Sequence, residues 1–173
     1  MAQVYLSLGS NIDRYKHISA ALDALAELFG ELDISSVFES EAVGFNGNPF
    51  LNLAVGVTTD LSVGELLSVL KAIEDNNGRT RGGAKFAPRT LDIDILTYDE
   101  RVGDIDGVQL PRDEILYNAF VLWPLAEIAP RDYHPIEQQT YSALWQAYDK
   151  QQKLKPVAFT WRARSISNER ARI

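Results

Sequence analysis

The sequence predicts an α+β sandwich of the ferredoxin-like, βαββαβ kind, with additions at its C-terminal end. Three observations point there. Apolar residues change period along the first hundred positions, from two to 3.6 and back, in the order strand, helix, strand, strand, helix, strand. Each helical stretch ends at a glycine or at Asn-Gly. The run Leu91–Ile95, LDIDI, alternates apolar and acidic residues as a half-buried strand does.

Gln3 to Leu8 reads as the first strand, closed by Gly9-Ser10-Asn11. Asp13 is a candidate cap for a helix running to about Phe29, with Ile18, Ala21, Leu22, Leu25 and Leu28 on one face and Gly30 as its stop. Leu32 to Ser40 forms a second strand, and EAVGFNGNP (41–49) carries turn residues. Phe50 to Thr58 is a third strand. Asp60 or Ser62 opens a second helix through about Asn76, with Leu66, Leu67, Leu70 and Ile73 inward. Gly78 to Ala87 is a loop of ten residues, three of them glycine. The two helices are expected on one face of a single sheet, with the LDIDI strand lying centrally and its carboxylates at a cleft.

A turn-rich stretch follows at Val102–Leu110, then a helical region at about Asn118–Ile128 and a last helix at Thr140–Asp149. The chain divides into one domain, 1–154, and a tail, 155–173, which has five basic residues and one acidic and is expected to be solvated or loosely packed.

Composition narrows the function classes. The 173 residues are 46% hydrophobic and 24% charged, as in ordinary globular domains. There is no cysteine, so thiolate zinc sites and thiol nucleophiles are excluded, and a cytoplasmic setting fits. The start, MAQVYLSLGSN, does not read as a signal peptide. No apolar run approaches a membrane span, and AFVLWPLAEIAP is broken by Glu127 and two prolines. A net charge of −7 argues against general nucleic-acid binding. The cations are nevertheless gathered locally: Arg79, Arg81, Lys85 and Arg89 fall within eleven residues, just before Asp92.

In a strand, Asp92 and Asp94 project from the same face, roughly 7 Å apart at their Cα atoms. Like charges at that spacing raise each other's pKa and call for a cation. A hard divalent ion carrying substrate phosphates, magnesium above all, suits them, and the arginine forks upstream match phosphate oxygens. Phe50 and Asn52, on one face of the third strand, and Phe120 offer the means to hold a flat heterocycle or merely to fill the core. No P-loop, no G-x-S-x-G elbow and no H-E-x-x-H helix is present.

KFAPRTLDIDIL closely resembles the signature of the 6-hydroxymethyl-7,8-dihydropterin pyrophosphokinases of folate biosynthesis. LSLGSN, FLNLAV, IEDNNGRTR and AFVLWPLAEIAP stand around it in the family's order, so the resemblance covers about residues 3–130. It implies the ferredoxin-like fold and a magnesium-dependent transfer of diphosphate from ATP to the pterin hydroxymethyl group, releasing AMP. It implies that Asp92 and Asp94 bind two magnesium ions and, with Arg79 and Arg89, are catalytic. Ser40, Val43, Phe50, Asn52, Phe86 and Phe120 would bind the pterin. Glu74, Arg81, Lys85 and Arg112 would lie at the nucleotide. The chain departs from the family pattern at Arg112-Asp113, where a histidine usually follows the proline, and at Gly107, Phe86 and Ala87. Two other readings share these residues: a pterin- or nucleotide-binding paralogue of weakened activity, and a two-metal nucleotidyl transferase or cyclase on a similar sheet.

Overall fold

A computed structural model describes residues 1–40, 49–78, 90–150 and 152–167. Strand β1 (Ala2–Ser10) leads to helix α1 (Arg14–Phe29), then to β2 (Asp33–Ile34), β3 (Val37–Ser40) and β4 (Phe50–Thr59). Helix α2 (Val63–Asn76) and β5 (Asp92–Tyr98) complete the βαββαβ unit. The hairpin β6 (Gly103–Ile105) and β7 (Val108–Leu110), a 3-10 turn (Asp113–Leu116), α3 (Ala119–Ile128) and α4 (Tyr141–Ala147) follow. Short strands β8 (Leu154–Val157), β9 (Thr160–Trp161) and β10 (Arg164–Ser165) end the described chain.

The main sheet runs β5-β1-β4-β3-β8, all antiparallel, with β2 continuing the β3 edge beside β4. Its first four strands have the ferredoxin-like order. Val4, Leu6 and Leu8 of β1, Leu51, Leu53, Val55 and Val57 of β4, and Ile93 and Ile95 of β5 pack beneath Ile18, Leu22 and Leu25 of α1 and Leu66, Leu70 and Ile73 of α2. The opposite face is covered towards one end by α3, through Leu96, Val121, Leu122 and Leu125 and through Phe38, Ala119 and Trp123. No helix among the described residues is long and apolar enough to cross a membrane.

Several expectations are corrected. The Asp92/Asp94 strand is not central: among the described residues it pairs only with β1 and forms the sheet edge. In a βαββαβ chain the third strand takes the place on the other side of the first, which leaves the fourth outside. β1 does not close at Gly9 but continues through Ser10, pairing with Leu51. Leu32–Ser40 is two strands, because the Ser35 hydroxyl accepts the Ala54 N–H and Glu127 of α3 accepts the Ser36 N–H. Asp13 stands at the N-cap of α1 in a left-handed conformation (φ 44°) without capping through its side chain. Leu28 is exposed. Ser62, by contrast, forms a full capping box with Glu65.

The segment after 154 is not loose: Phe159 and Trp161 anchor it, while Lys155, Ala158, Thr160 and residues 162–165 are exposed as expected of a solvated tail. β8 pairs with β3, the boundary at 154/155 falls inside it, and Phe159 and Trp161 are buried in the main core.

Candidate functional site

Pairing register assembles the site. Across β5, β1, β4 and β3, Asp92 lies opposite Gly9, Gly9 opposite Asn52, and Asn52 opposite Phe38. The next row holds Asp94, Ser7 and Ala54. Leu8, Leu51, Leu53 and Ile93 belong to the core under α1 and α2, so the alternate residues Asp92, Asp94, Gly9, Asn52 and Phe50 face the other way. Ser40 pairs with Phe50 and accepts a hydrogen bond from Asn52 Nδ2 at 2.7 Å. The Asn52 carboxamide is thereby fixed, and its Oδ1 turns over Gly9: a Cβ placed there would come within 3.2 Å of it. Gly9 is the floor between the acidic pair and the amide. Phe120, on α3, packs in the cluster of Phe38 and Trp123, at the Asn52 end of this floor.

The acidic side has its own framework. Glu74, buried on α2, accepts the Ile93 N–H at 2.7 Å, between the two aspartates. An edge strand leaves alternate backbone groups without a strand partner, and this carboxylate satisfies one of them while fixing the strand. Burial pushes the Asp94 carboxyl up to about 6, with Asp92, Glu114 and Glu74 adding to the rise and Arg112 opposing it. Arg112 Nη2 lies 3.8 Å from Asp94 Oδ1, and its Nε donates to Glu114 at 2.8 Å. Burial works against the charge on Arg112, but the surrounding carboxylates outweigh it and hold the guanidinium protonated.

Two aspartates offer too few ligands to enclose an ion. No group of three or more His, Cys, Asp or Glu side chains is gathered for a metal among the described residues. Such a pair fits an octahedral cation that takes its other ligands from phosphate oxygens and water.

Residues 5–130 match the family model of 7,8-dihydro-6-hydroxymethylpterin-pyrophosphokinase. The chain belongs to this family. It is 41% identical over 138 residues to the 2-amino-4-hydroxy-6-hydroxymethyldihydropteridine pyrophosphokinase of Aquifex aeolicus, an alignment covering 79% of this chain and 86% of the relative. It is 35% identical to the enzyme of the same name from Bacillus subtilis, with 80% and 83% covered. The crystal structure of Plasmodium falciparum HPPK-DHPS has the same fold, with a TM-score of 0.68 at 14% identity; the match spans 96% of this chain and about half, 49%, of that one.

Of the residues singled out in the sequence, the structure brings Asp92, Asp94, Arg112, Asn52, Ser40 and Phe50 to one sheet face, with Phe120 beside it and Glu74 behind β5. Val43, Arg79, Arg81, Lys85, Phe86 and Arg89 lie outside the described residues. Gly107 has a backbone explanation. With Asp106 it forms the two-residue turn of the β6–β7 hairpin, at φ 53° and 85°. Asp106 accepts the Gly64 N–H at the start of α2, ten residues and roughly 15 Å along that helix from Glu74.

Three contributors went unread in the sequence. Gly9 sits in GSN, which reads as a turn, and only its register shows the role. Glu114 and Asn118, which fix Arg112, are linked by a 2.8 Å hydrogen bond, and their i, i+4 spacing was the available signal.

Proposed function

We propose that this pyrophosphokinase-family chain transfers the terminal diphosphate of ATP to the hydroxymethyl group of 6-hydroxymethyl-7,8-dihydropterin, with magnesium, in folate biosynthesis. One observation carries the reading. Asp92 and Asp94 stand on the same sheet face as Asn52, Ser40 and Phe50, with Gly9 between Asp92 and Asn52. A cation-holding half and a heterocycle-holding half are thus two strand spacings apart, roughly 10 Å, which suits two substrates meeting at one bond.

In the reaction the hydroxymethyl oxygen attacks the β-phosphorus of ATP. The new O–P bond forms as the bond from that phosphorus to the oxygen bridging to the α-phosphorus breaks. The electron pair leaves with AMP, and the hydroxyl proton is lost to solvent. Bound magnesium supplies charge neutralisation at the phosphates. Asp92 and Asp94 would hold two such ions, and Glu74 keeps their strand in place. Asn52 presents Oδ1 to an N–H edge of the pterin, with Ser40 holding its other end. Phe50 and Phe120 take the faces of the ring, and Val43 and Phe86 complete that pocket. Arg79 and Arg89 engage the reacting phosphates, while Arg81, Lys85 and Arg112 attend the nucleotide. Rate enhancement then comes mainly from positioning and fixed charge. A cytoplasmic setting supplies the ATP.

The test is AMP formation from ATP and magnesium with and without the pterin. Pterin-dependent AMP is expected, and Asp92→Ala or Asp94→Ala should abolish it while leaving the far-ultraviolet circular dichroism unchanged. Absence of AMP from folded wild-type protein would sink the proposal. Pyrophosphate in place of AMP would favour nucleotidyl transfer.

A further inference from the structure

We propose that Arg112 is a resident counter-ion of the Asp94 metal position: it disfavours a bare divalent cation there and favours one that arrives on nucleotide phosphates. The inference rests on the pyrophosphokinase reading and concerns how the metal enters.

The guanidinium is held from several sides. The Arg112 N–H donates to the Leu96 carbonyl at 2.8 Å, which ties the residue's backbone to the same strand as Asp94, two residues along. Its Nε donates to Glu114 Oε1 at 2.8 Å. The other oxygen of that carboxylate accepts from Asn118 Nδ2 at 2.8 Å. Asn118 stands at the N-cap of α3, so the chain of contacts ends on a packed helix. The Arg112 Nη2 lies 3.8 Å from Asp94 Oδ1.

That distance describes a loose ion pair, not a bidentate fork, so the carboxylate oxygens stay available to a metal. An arginine does not lose its proton in a protein, so the positive charge is always present. Because Glu114 anchors the side chain, the guanidinium has no cause to leave when Asp94 takes a metal. Its effect on ligands therefore changes sign. A bare dication meets repulsion from Arg112. A metal–nucleotide complex brings an excess of negative phosphate oxygens, and the same guanidinium attracts it. A residue that merely supported the fold would not produce opposite changes.

The experiment compares wild type, Arg112→Gln and Arg112→Lys. Binding of Mn2+ alone is followed by electron paramagnetic resonance of the free ion. Binding of the magnesium complex of a non-hydrolysable ATP analogue is followed by calorimetry. For Arg112→Gln we expect Mn2+ to bind about tenfold tighter and the metal–nucleotide complex about tenfold weaker. Arg112→Lys should stay near wild type with Mn2+. Mn2+ affinity that is unchanged or weaker in Arg112→Gln overturns the inference. So does a free-ion signal that neither protein diminishes, and so does parallel weakening of both ligands. Pterin-dependent AMP release by the wild type, run alongside, separates the two levels. AMP formed with unchanged Mn2+ affinity removes the counter-ion role alone, whereas no AMP removes the reading beneath it.

Discussion

Gly9→Ala separates the site from the fold. Gly9 lies in extended β1, paired with Asp92 on one side and Asn52 on the other. A glycine within a strand costs roughly 0.5–1 kcal/mol in chain entropy relative to alanine. Alanine would recover that. Against it stands the added methyl, 3.2 Å from Asn52 Oδ1 and 3.9 Å from Phe50 Cδ1. The second distance is ordinary contact; the first requires the carboxamide to yield by a few tenths of an ångström. Asn52 is buried and tied to Ser40 at 2.7 Å, so it can yield only by straining that bond, whose net worth is about 0.5–1.5 kcal/mol. The two terms nearly cancel, and the expected change in stability is within about 1 kcal/mol. Pterin binding has no such compensation. A methyl on the floor and a displaced acceptor together forfeit one or two hydrogen bonds, about 1–3 kcal/mol, or roughly a ten- to hundredfold loss of affinity. Metal–nucleotide binding should change less than about threefold. The assay is chemical denaturation beside titrations with pterin and with the magnesium complex of an ATP analogue. Unchanged pterin affinity would refute the reasoning, as would equal losses for both ligands.

Three further outcomes are expected. Asp94 has a raised carboxyl pKa, so the folded, metal-free state holds this proton more tightly than the unfolded state does between pH 4 and about 6. Its contribution to stability falls as pH rises through that window, and Asp94→Asn should gain on the wild type between pH 4.5 and 7 in denaturant midpoints; a constant gap would count against it. His134 is buried, and its Nδ1 accepts the N–H groups of Ile136 and Glu137 at 3.2 and 3.0 Å. Burial lowers its pKa, so stability present above the unfolded value of about 6.5 is lost as pH falls below it, and His134→Asn should flatten that part of the profile; an identical profile would show the histidine to be inert. Phe159→Ala should cost about 3–5 kcal/mol by calorimetry, as for a core phenylalanine, whereas a loss under about 0.5 kcal/mol would mean the segment contributes nothing.

What could be read from the sequence was what short-range periodicity encodes. The two long helices, their stops at Gly30 and Asn77-Gly78 and the start of the second at Ser62 are local, and the structure keeps them. So is the alternation that puts Asp92 and Asp94 on one face. The errors lie where a distant partner decides. The break at Ser35 exists because its hydroxyl takes the Ala54 N–H, nineteen residues on, and because Glu127 takes the next N–H. Phe159 and Trp161 look like ordinary aromatics in a basic tail, yet β8 returns beside β3 and carries them into the core.

The edge position of β5 is the instructive case, because it changes the chemistry as well as the map. A central strand would have both backbone sides occupied by neighbouring strands. At the edge, the Ile93 N–H is left for Glu74 and the Leu96 carbonyl for Arg112. One side chain thus fixes the strand between the aspartates, and one backbone bond sets a guanidinium beside Asp94. Neither contact was open to a strand placed in the middle of the sheet. The acidic pair is legible from alternation alone, but its charge environment follows from the topology, in which a helix and a turn far apart in sequence both reach the same free edge.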